Sequence, residues 1–336
     1  MKRFASLGLS LGFLSLLIAQ VCADDPQNEQ KDKIKAAVRK GVAYLKSTQK
    51  EGNWDTQVLN MGGGNLGGVT ALATLALLES GEKPDDPAVK SALEYIRKLP
   101  PAHTYTTSLH TLCYCKADPK LYGTEIQANV AWLVKTAVRE KGKVVGWSYP
   151  ISTTVPISAV DLSNTHFAVE ALSAAARAGA KLDPKLWKQI YEALSSTQLA
   201  TGGWPYTRSA ANFGGGERLN MTAAAVECLA TAKARLPEGE QVNEEGLKKG
   251  LARLGERLEL HVLKGEYPYY RLMVIRMAGR STGLSTFTQG EKEINWYRDG
   301  ADALLKGQRA DGSWAGANQD GIPVIATSLA LRFLAD

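Results

Sequence analysis

The sequence is poor in cysteine and has no dense run of like charge. Four cysteines occur among its 336 residues. No stretch contains five or six consecutive Lys or Arg residues, as a surface that follows nucleic-acid phosphates would, so we expect no nucleic-acid partner. The net charge of +6 at pH 7 is mild and indicates no particular partner. The hydrophobic content of 44% allows a large core without disulfides.

Residues 1–23 have the pattern of a signal peptide. Lys2 and Arg3 precede an apolar stretch at 7–21, and small residues stand at the end of the segment. The apolar stretch is short and charged residues follow it directly, which disfavours a membrane anchor. We therefore expect residues 24–336 to form a secreted or periplasmic chain with no transmembrane anchor after cleavage. Cleavage removes two positive charges and lowers the net charge from +6 to +4.

The predicted mature chain keeps three cysteines, Cys113, Cys115 and Cys228. An odd number excludes a disulfide framework that uses all of them. Two alternatives remain open, namely one disulfide that joins Cys113 or Cys115 to Cys228, or three free thiols.

One pattern recurs along the chain and ends each time in Trp. In its complete copies a leucine stands four residues before a glutamine, and a Gly-x-Trp sequence ends five or six residues after it. The complete copies end at Trp54, Trp204 and Trp314, and a degraded copy ends at Trp147, with Ala137 in place of the glutamine. Such recurrence predicts a repeat architecture.

Each copy predicts a pair of helices. Before the tryptophan, apolar residues recur every three or four positions and indicate a helix with one charged face. After it comes a helix that is apolar on nearly all sides and must be covered all round, so the pairs predict an outer and an inner layer. The expected outer helices lie near 30–49, 86–99, 119–140, 183–197, 243–258 and 290–308, and the expected inner helices near 66–81, 104–116, 160–178, 218–235, 267–280 and 321–335.

The first copy reads Gly41-x-x-Tyr44-Leu45-x-x-x-Gln49-x-x-Gly52-x-Trp54. It resembles the QW repeat of squalene and oxidosqualene cyclases, and the resemblance covers nearly all of the mature chain. The chain is thus similar to the terpenoid cyclase and protein prenyltransferase superfamily, as an exported, bacterial, squalene-hopene cyclase-like member. The resemblance implies an all-α fold of one domain, an α/α toroid in which six helical hairpins close into inner and outer rings. Periodicity alone leaves an open solenoid as the alternative.

The catalytic motifs of that superfamily are incomplete in this sequence. The cyclase motif Asp-x-Asp-Asp-Thr corresponds to 161–165, where Ser163 and Asn164 replace the second and third acids. A hydroxyl cannot replace a carboxylic acid as proton donor, so we expect no squalene-cyclase activity. The zinc site of protein prenyltransferases needs an Asp-x-Cys pair, which the mature chain lacks. We therefore expect no metal and no cofactor.

Two sets of side chains remain as candidate site residues. The candidate catalytic carboxyls are Asp161, whose alternative role is a helix cap, and the pair Glu170 and Glu227. The last two stand five residues after the aligned threonine of two inner helices, with ion pairing to a neighbouring Arg or Lys as the structural alternative. The candidate ligand-binding residues are His110, within the expected helix 104–116, and five residues at or before the starts of inner helices: Tyr105, Asn164, Asn220, Tyr269 and Tyr270. The alternative for His110 is a structural role, as a core residue beside the free thiols.

These features predict a non-cyclising relative of the superfamily. We expect it to bind a lipid or terpenoid, a glycan or a protein through its central cavity or rim. The alternative is an enzyme that acts on an isoprenoid or polysaccharide with the cavity carboxylates. Two acids about 5 to 10 Å apart across a cleft would indicate glycan hydrolysis.

Overall fold

The computed structural model describes residues 26–55, 66–149, 157–208, 215–260, 263–265, 267–316 and 318–335. The predicted signal peptide lies outside these residues. Within them, alternate helices have the character of an outer and an inner layer. The outer helices are α1 (Pro26–Thr48), α3 (Pro87–Arg97), α5 (Gly123–Thr136), α7 (Lys185–Ser195), α9 (Glu245–Arg257) and α11 (Trp296–Gly307). The inner helices are α2 (Gly68–Glu79), α4 (Thr104–Ala117), α6 (Leu162–Arg177), α8 (Leu219–Lys233), α10 (Pro268–Thr282) and α12 (Pro323–Leu334).

The inner helices form a closed ring. Each one contacts the next inner helix in chain order, and α12 returns to contact α2. The outer helices pack against this ring, and α1 contacts both α12 and α11 at the point where the ring closes. The all-α prediction is confirmed, and the contact between α12 and α2 favours a ring over an open stack of hairpins. None of the helices in the described ranges is both long and apolar enough to cross a bilayer.

Burial follows the difference in sequence between the two layers. In α2 every residue from Gly68 to Leu78 is buried, because a helix of small apolar residues is covered on all sides. In α3 the buried positions are Val89, Ala92, Leu93 and Ile96, which recur every three or four residues on the face toward the inner layer. The charged face of α3 is left to solvent.

The repeated tryptophans make the same two hydrogen bonds in every copy. Each indole N–H donates to the carbonyl of a leucine in the preceding outer helix, at 2.8 to 2.9 Å. Each tryptophan backbone N–H donates to a threonine hydroxyl of the following inner helix, at 3.0 to 3.2 Å. The four tryptophans are Trp54, Trp147, Trp204 and Trp314, and all are buried. Each one therefore joins an outer helix to the inner helix that follows it.

The glutamines of the complete copies bind the next outer helix of the shell. The side-chain amides of Gln49, Gln198 and Gln308 donate to backbone carbonyls of α3, α9 and α1, respectively. The acceptors are Ala88 at 2.8 Å, Gly246 at 2.8 Å and Ala37 at 2.9 Å. Because Gln308 follows α11 and Ala37 lies in α1, the last of these bonds closes the outer layer.

Two antiparallel hairpins overlap the ends of two predicted outer helices. Strands β1 (Val138–Glu140) and β2 (Lys143–Gly146) follow α5, and β3 (Thr286–Gln289) and β4 (Lys292–Asn295) precede α11. Of these strands, β1 and β4 lie inside the predicted ranges, and β2 and β3 lie outside them. The expected outer helices 119–140 and 290–308 are therefore wrong at these ends. At the first hairpin, Lys141 and Gly142 both have positive φ, 49° and 81°, as a two-residue hairpin turn requires.

The three cysteines of the described residues are free thiols. Cys113 and Cys228 are buried, and Cys115 is half-buried. The sulfur of Cys113 lies 3.1 Å from the carbonyl oxygen of Ala71. Of the two alternatives, the structure has the one without a disulfide among these cysteines.

Candidate functional site

An ion pair crosses the centre of the ring. Arg332 of α12 and Glu170 of α6 occupy the same repeat position, five residues after the aligned threonine. Nη2 of Arg332 lies 2.6 Å from Oε1 of Glu170, although α12 and α6 stand on opposite sides of the six-helix ring. The two side chains therefore meet near the ring axis. The predicted alternative for Glu170, pairing with a basic residue, is what the structure shows, but with the opposite helix.

Glu79, at the C-terminal end of α2, completes this group, which we call the arginine triad: Arg332, Glu79 and Glu170. Nε and Nη2 of Arg332 donate to Glu79 at 3.0 and 3.3 Å. Burial raises the pKa of Glu170, and the Arg332 guanidinium opposes this. Burial acts to lower the pKa of Arg332, but the two carboxylates outweigh it and hold that pKa above its ordinary value. The triad thus keeps Arg332 charged and obstructs the ring toward the C-terminal ends of α2 and α12.

Glu227 of α8 has the same repeat position but no arginine partner. It is 4% exposed, and its Oε1 accepts a hydrogen bond from Thr231 at 2.8 Å. Its Oε2 lies 3.7 Å from Nε2 of His166, which is too long for a hydrogen bond. Burial raises the pKa of Glu227 to about 7. Burial lowers the pKa of His166 to about 3, and Arg332 adds to this, so His166 is neutral at pH 7 and forms no ion pair.

Aromatic rings from opposite helices lie beside Glu227 and His166. The ring of Phe167 in α6 packs edge to face on Tyr105 of α4, with centroids 4.8 Å apart, and lies 6.0 Å from the ring of Tyr270 in α10. The His166 ring lies 6.2 Å from Tyr270. Because α4 and α10 are opposite in the ring, these side chains meet at its centre. We call Tyr105, His166, Phe167, Glu227 and Tyr270 the central cluster.

Several buried polar atoms of the central cluster have no hydrogen-bond partner in the described part of the chain. They are Oε2 of Glu227, both ring nitrogens of His166 and the hydroxyl of Tyr270. Buried polar groups in proteins are nearly always hydrogen-bonded, because an unmade bond costs about 1 to 3 kcal/mol. The arrangement therefore leaves four buried polar atoms that the described residues do not pair.

The central cluster extends from the first turns of the inner helices into the buried interior of the ring. Tyr105 and Tyr270 stand in the first turns of α4 and α10 and are half-buried, whereas His166, Phe167 and Glu227 are buried. Burial raises the pKa of both tyrosines, so their hydroxyls are neutral at physiological pH.

Asp161 caps α6. Its Oδ1 accepts from the Asn164 backbone N–H at 2.8 Å and from the Ser163 hydroxyl at 3.0 Å, and its Oδ2 accepts from the Asn164 amide at 2.9 Å. Burial raises the pKa of Asp161, while the hydrogen bonds from Asn164 and Ser163 oppose that. The Ser163 hydroxyl lies 3.3 Å from that of Tyr206. The contacts of Asp161 are those of an N-cap, and no carboxyl stands at position 163.

The other predicted ligand-binding residues have separate surroundings. His110 is buried against Gly67, where an added Cβ would lie 2.7 Å from its Nε2, and burial lowers its pKa to about 4. The backbone N–H of Tyr269 donates to Asp320 at 2.9 Å, and its hydroxyl donates to the Ala315 carbonyl at 3.3 Å. Asn220 is buried, and its side-chain oxygen accepts from the backbone N–H of the next residue. The structure thus brings together Tyr105, Tyr270 and Glu227 from the predicted sets.

Sequence reasoning missed His166, Phe167, Arg332 and Glu79. A signal for Arg332 exists, because it stands five residues after Thr327, as Glu170 stands after Thr165. His166 also departs from the pattern, since small residues fill its position in four of the other five inner helices, Ser108 and Ala223 among them. No such signal exists for Glu79, which follows its helix's threonine by nine residues.

Replacing Glu227 with glutamine should remove a pH dependence of stability. The folded-state pKa of about 7 lies above the ordinary 4.5, so the contribution of this group is complete below pH 4.5 and is lost as the pH rises through 7. The loss amounts to about 3 kcal/mol. In urea unfolding, the wild type should lose about that much free energy of unfolding between pH 4.5 and 8, and Glu227→Gln should not. The exposed Glu245→Gln is the control, and an equal pH profile for all three proteins would contradict the expectation.

The fold is that of type II terpene cyclases. MstE from Scytonema, as a variant in complex with its substrate geranylgeranyl dihydroxybenzoate, matches with a TM-score of 0.58 and 15% identity, covering 91% of this chain and 98% of that one. A variant in complex with the product merosterolic acid A gives 0.57 and 17%, over 91% and 97% of the two chains. The apo enzyme gives 0.56 and 15%, over 90% and 98%. Comparisons with protein-family models and with curated protein sequences gave no match.

Proposed function

We propose that this protein binds a terpenoid or a similar lipid in the centre of its helix ring and does not cyclise it. The central cluster carries the proposal, because it combines aromatic walls with a few unpartnered polar atoms, the usual composition of a small-molecule site. The likeness in fold to MstE, which binds geranylgeranyl dihydroxybenzoate, supports an isoprenoid class of ligand. From the signal-peptide pattern we also propose that the protein acts in the periplasm or outside the cell.

The carboxyl groups support binding without cyclisation. Protonation of an alkene needs a strong, unpaired acid. Three hydrogen bonds engage Asp161, and Glu170 is paired with Arg332. Glu227, with a pKa of about 7, is too weak an acid for that step. The same pairing of Glu170 disfavours the alternative of a polysaccharide hydrolase, which needs two carboxyls free to act on one bond.

Binding of geranylgeraniol to the purified protein tests the proposal. We expect saturable binding by isothermal titration and recovery of unchanged geranylgeraniol from the complex by mass spectrometry. Phe167→Ala should weaken binding about tenfold, because it removes the ring that contacts both Tyr105 and Tyr270. Phe287→Ala, which truncates a buried ring in β3, controls for loss of stability alone.

Three results would overturn the proposal. The first is no binding of geranylgeraniol, and the second is binding of a linear oligosaccharide in its place. The third is conversion of geranylgeraniol to a cyclic product. Native mass spectrometry of the protein from its own host would identify a ligand retained through purification.

A further inference from the structure

We infer that the ligand of the central cluster is an alcohol, and that its hydroxyl group lies between Oε2 of Glu227 and Nε2 of His166. The inference rests on the proposed function and specifies the chemistry of the ligand's polar end. The separation of 3.7 Å between the two atoms leaves no direct hydrogen bond. One oxygen atom can sit about 2.8 Å from both, as a hydroxyl that donates to one group and accepts from the other would.

The unpartnered atoms suit a guest that both donates and accepts. Glu227 is 4% exposed and His166 is fully buried, and neither Oε2 of Glu227 nor a ring nitrogen of His166 has a partner among the described residues. A hydrocarbon would leave these atoms unpaired, and an ether oxygen could only accept. A hydroxyl offers one donor and two acceptor positions, so it alone among these groups serves both sides.

The charges around the pair disfavour an anionic headgroup. Arg332 already binds both Glu79 and Glu170. Arg276 of α10 donates to the backbone carbonyls of Arg332 and Ala335. A diphosphate or carboxylate would meet Glu170 and Glu227, while Arg332, the guanidinium that contacts Glu170, is already shared by two carboxylates, and burying an uncompensated charge is costly. The polar end of the ligand is therefore neutral.

The walls of the ring set the direction of entry. The arginine triad crosses the ring at the repeat position of Glu227, and Tyr105 and Tyr270 stand nearer the N-terminal ends of the inner helices, in the first turns of α4 and α10. A ligand that enters between them reaches Glu227 with its leading end. The hydroxyl therefore enters first, and the apolar tail lies along Tyr105, Phe167 and Tyr270.

Three probes share the geranylgeranyl tail and differ only in the headgroup: geranylgeraniol, its methyl ether and geranylgeranyl diphosphate. By isothermal titration, the wild-type protein should bind the alcohol at least tenfold more tightly than the ether or the diphosphate, as two hydrogen bonds would confer. Glu227→Leu and His166→Phe should each bring alcohol and ether to within about threefold of each other. Leu112→Met is the matched control, because Leu112 has the Glu227 repeat position in α4, and it should keep the preference.

The outcomes distinguish the inference from the proposed function. Equal binding of alcohol and ether by the wild type, or tightest binding of the diphosphate, would overturn the inference while leaving isoprenoid binding in place. Failure of all three probes to bind would overturn both. Glu227→Gln provides a second variant if Glu227→Leu does not fold, because its amide keeps the shape and still donates and accepts. It should retain at least part of the preference, and a complete loss there with intact folding would count against a hydrogen-bonded hydroxyl.

Discussion

Arg332→Met should lower the free energy of unfolding by about 3 to 5 kcal/mol. Arg332 is 2% exposed and is the cation shared by Glu79 and Glu170. Its removal leaves two carboxylates near the ring axis without a counter-charge, and their protonation restores only part of the loss. Urea unfolding followed by circular dichroism at pH 7 would measure the difference from the wild type.

Two controls separate the loss of the charge from the loss of the side chain. Arg298→Met removes an exposed arginine that pairs with its neighbour Asp299, and it should change stability by less than about 0.5 kcal/mol. Adding Glu79→Gln and Glu170→Gln to Arg332→Met should recover most of the lost stability, because no buried charge is then left unpaired. A triple variant as unstable as Arg332→Met would show that the guanidinium acts by packing alone.

Trp314→Ala should cost about 3 to 5 kcal/mol, as expected for the truncation of a fully buried aromatic residue. Its indole donates to the Leu304 carbonyl at 2.8 Å and packs on α1, where an added Cβ on Gly41 would lie 2.9 Å from the ring. The side chain therefore joins the last outer helix to the first, and its loss should loosen the closure of the ring as well as the core.

Hydrogen exchange and a matched variant test this second expectation. Trp132→Ala removes a half-buried tryptophan of α5 that is not one of the four tryptophans that end the repeats, and it should cost clearly less in urea unfolding. In Trp314→Ala, amides of α1 and α11 should lose more protection than those of α5 and α7. Uniform loss of protection over all outer helices would contradict a local role in closure.

The helices are predictable from sequence because their pattern is local. Spacing predicts α4 at 104–116, and the structure has it at Thr104–Ala117. The hairpin after α5 is not predictable in the same way, because strands of three or four residues show too few alternations to identify a period of two. The positive φ values at the turn of Lys141 and Gly142 become visible only in three dimensions.

The site is predictable only in part, because it depends on the width of the ring. Repeat position predicts that Glu170 and Glu227 lie at one depth and that a basic residue can neutralise such a group. It does not predict that Arg332 reaches Glu170 from the opposite helix. That contact exists because the ring is narrow enough for two long side chains to meet across it, and the width is set by the packing of all six inner helices.

The position of the cross-ring ion pair limits the depth available to any guest. Glu170 stands eight residues after Leu162, the first residue of α6, which corresponds to about 12 Å along the helix axis. An extended geranylgeranyl chain is longer than that, so in the proposed binding mode its far end would lie beyond the first turn of α6. In the proposed binding mode, the length of the ligand tail is therefore not limited by the depth of the ring above the ion pair.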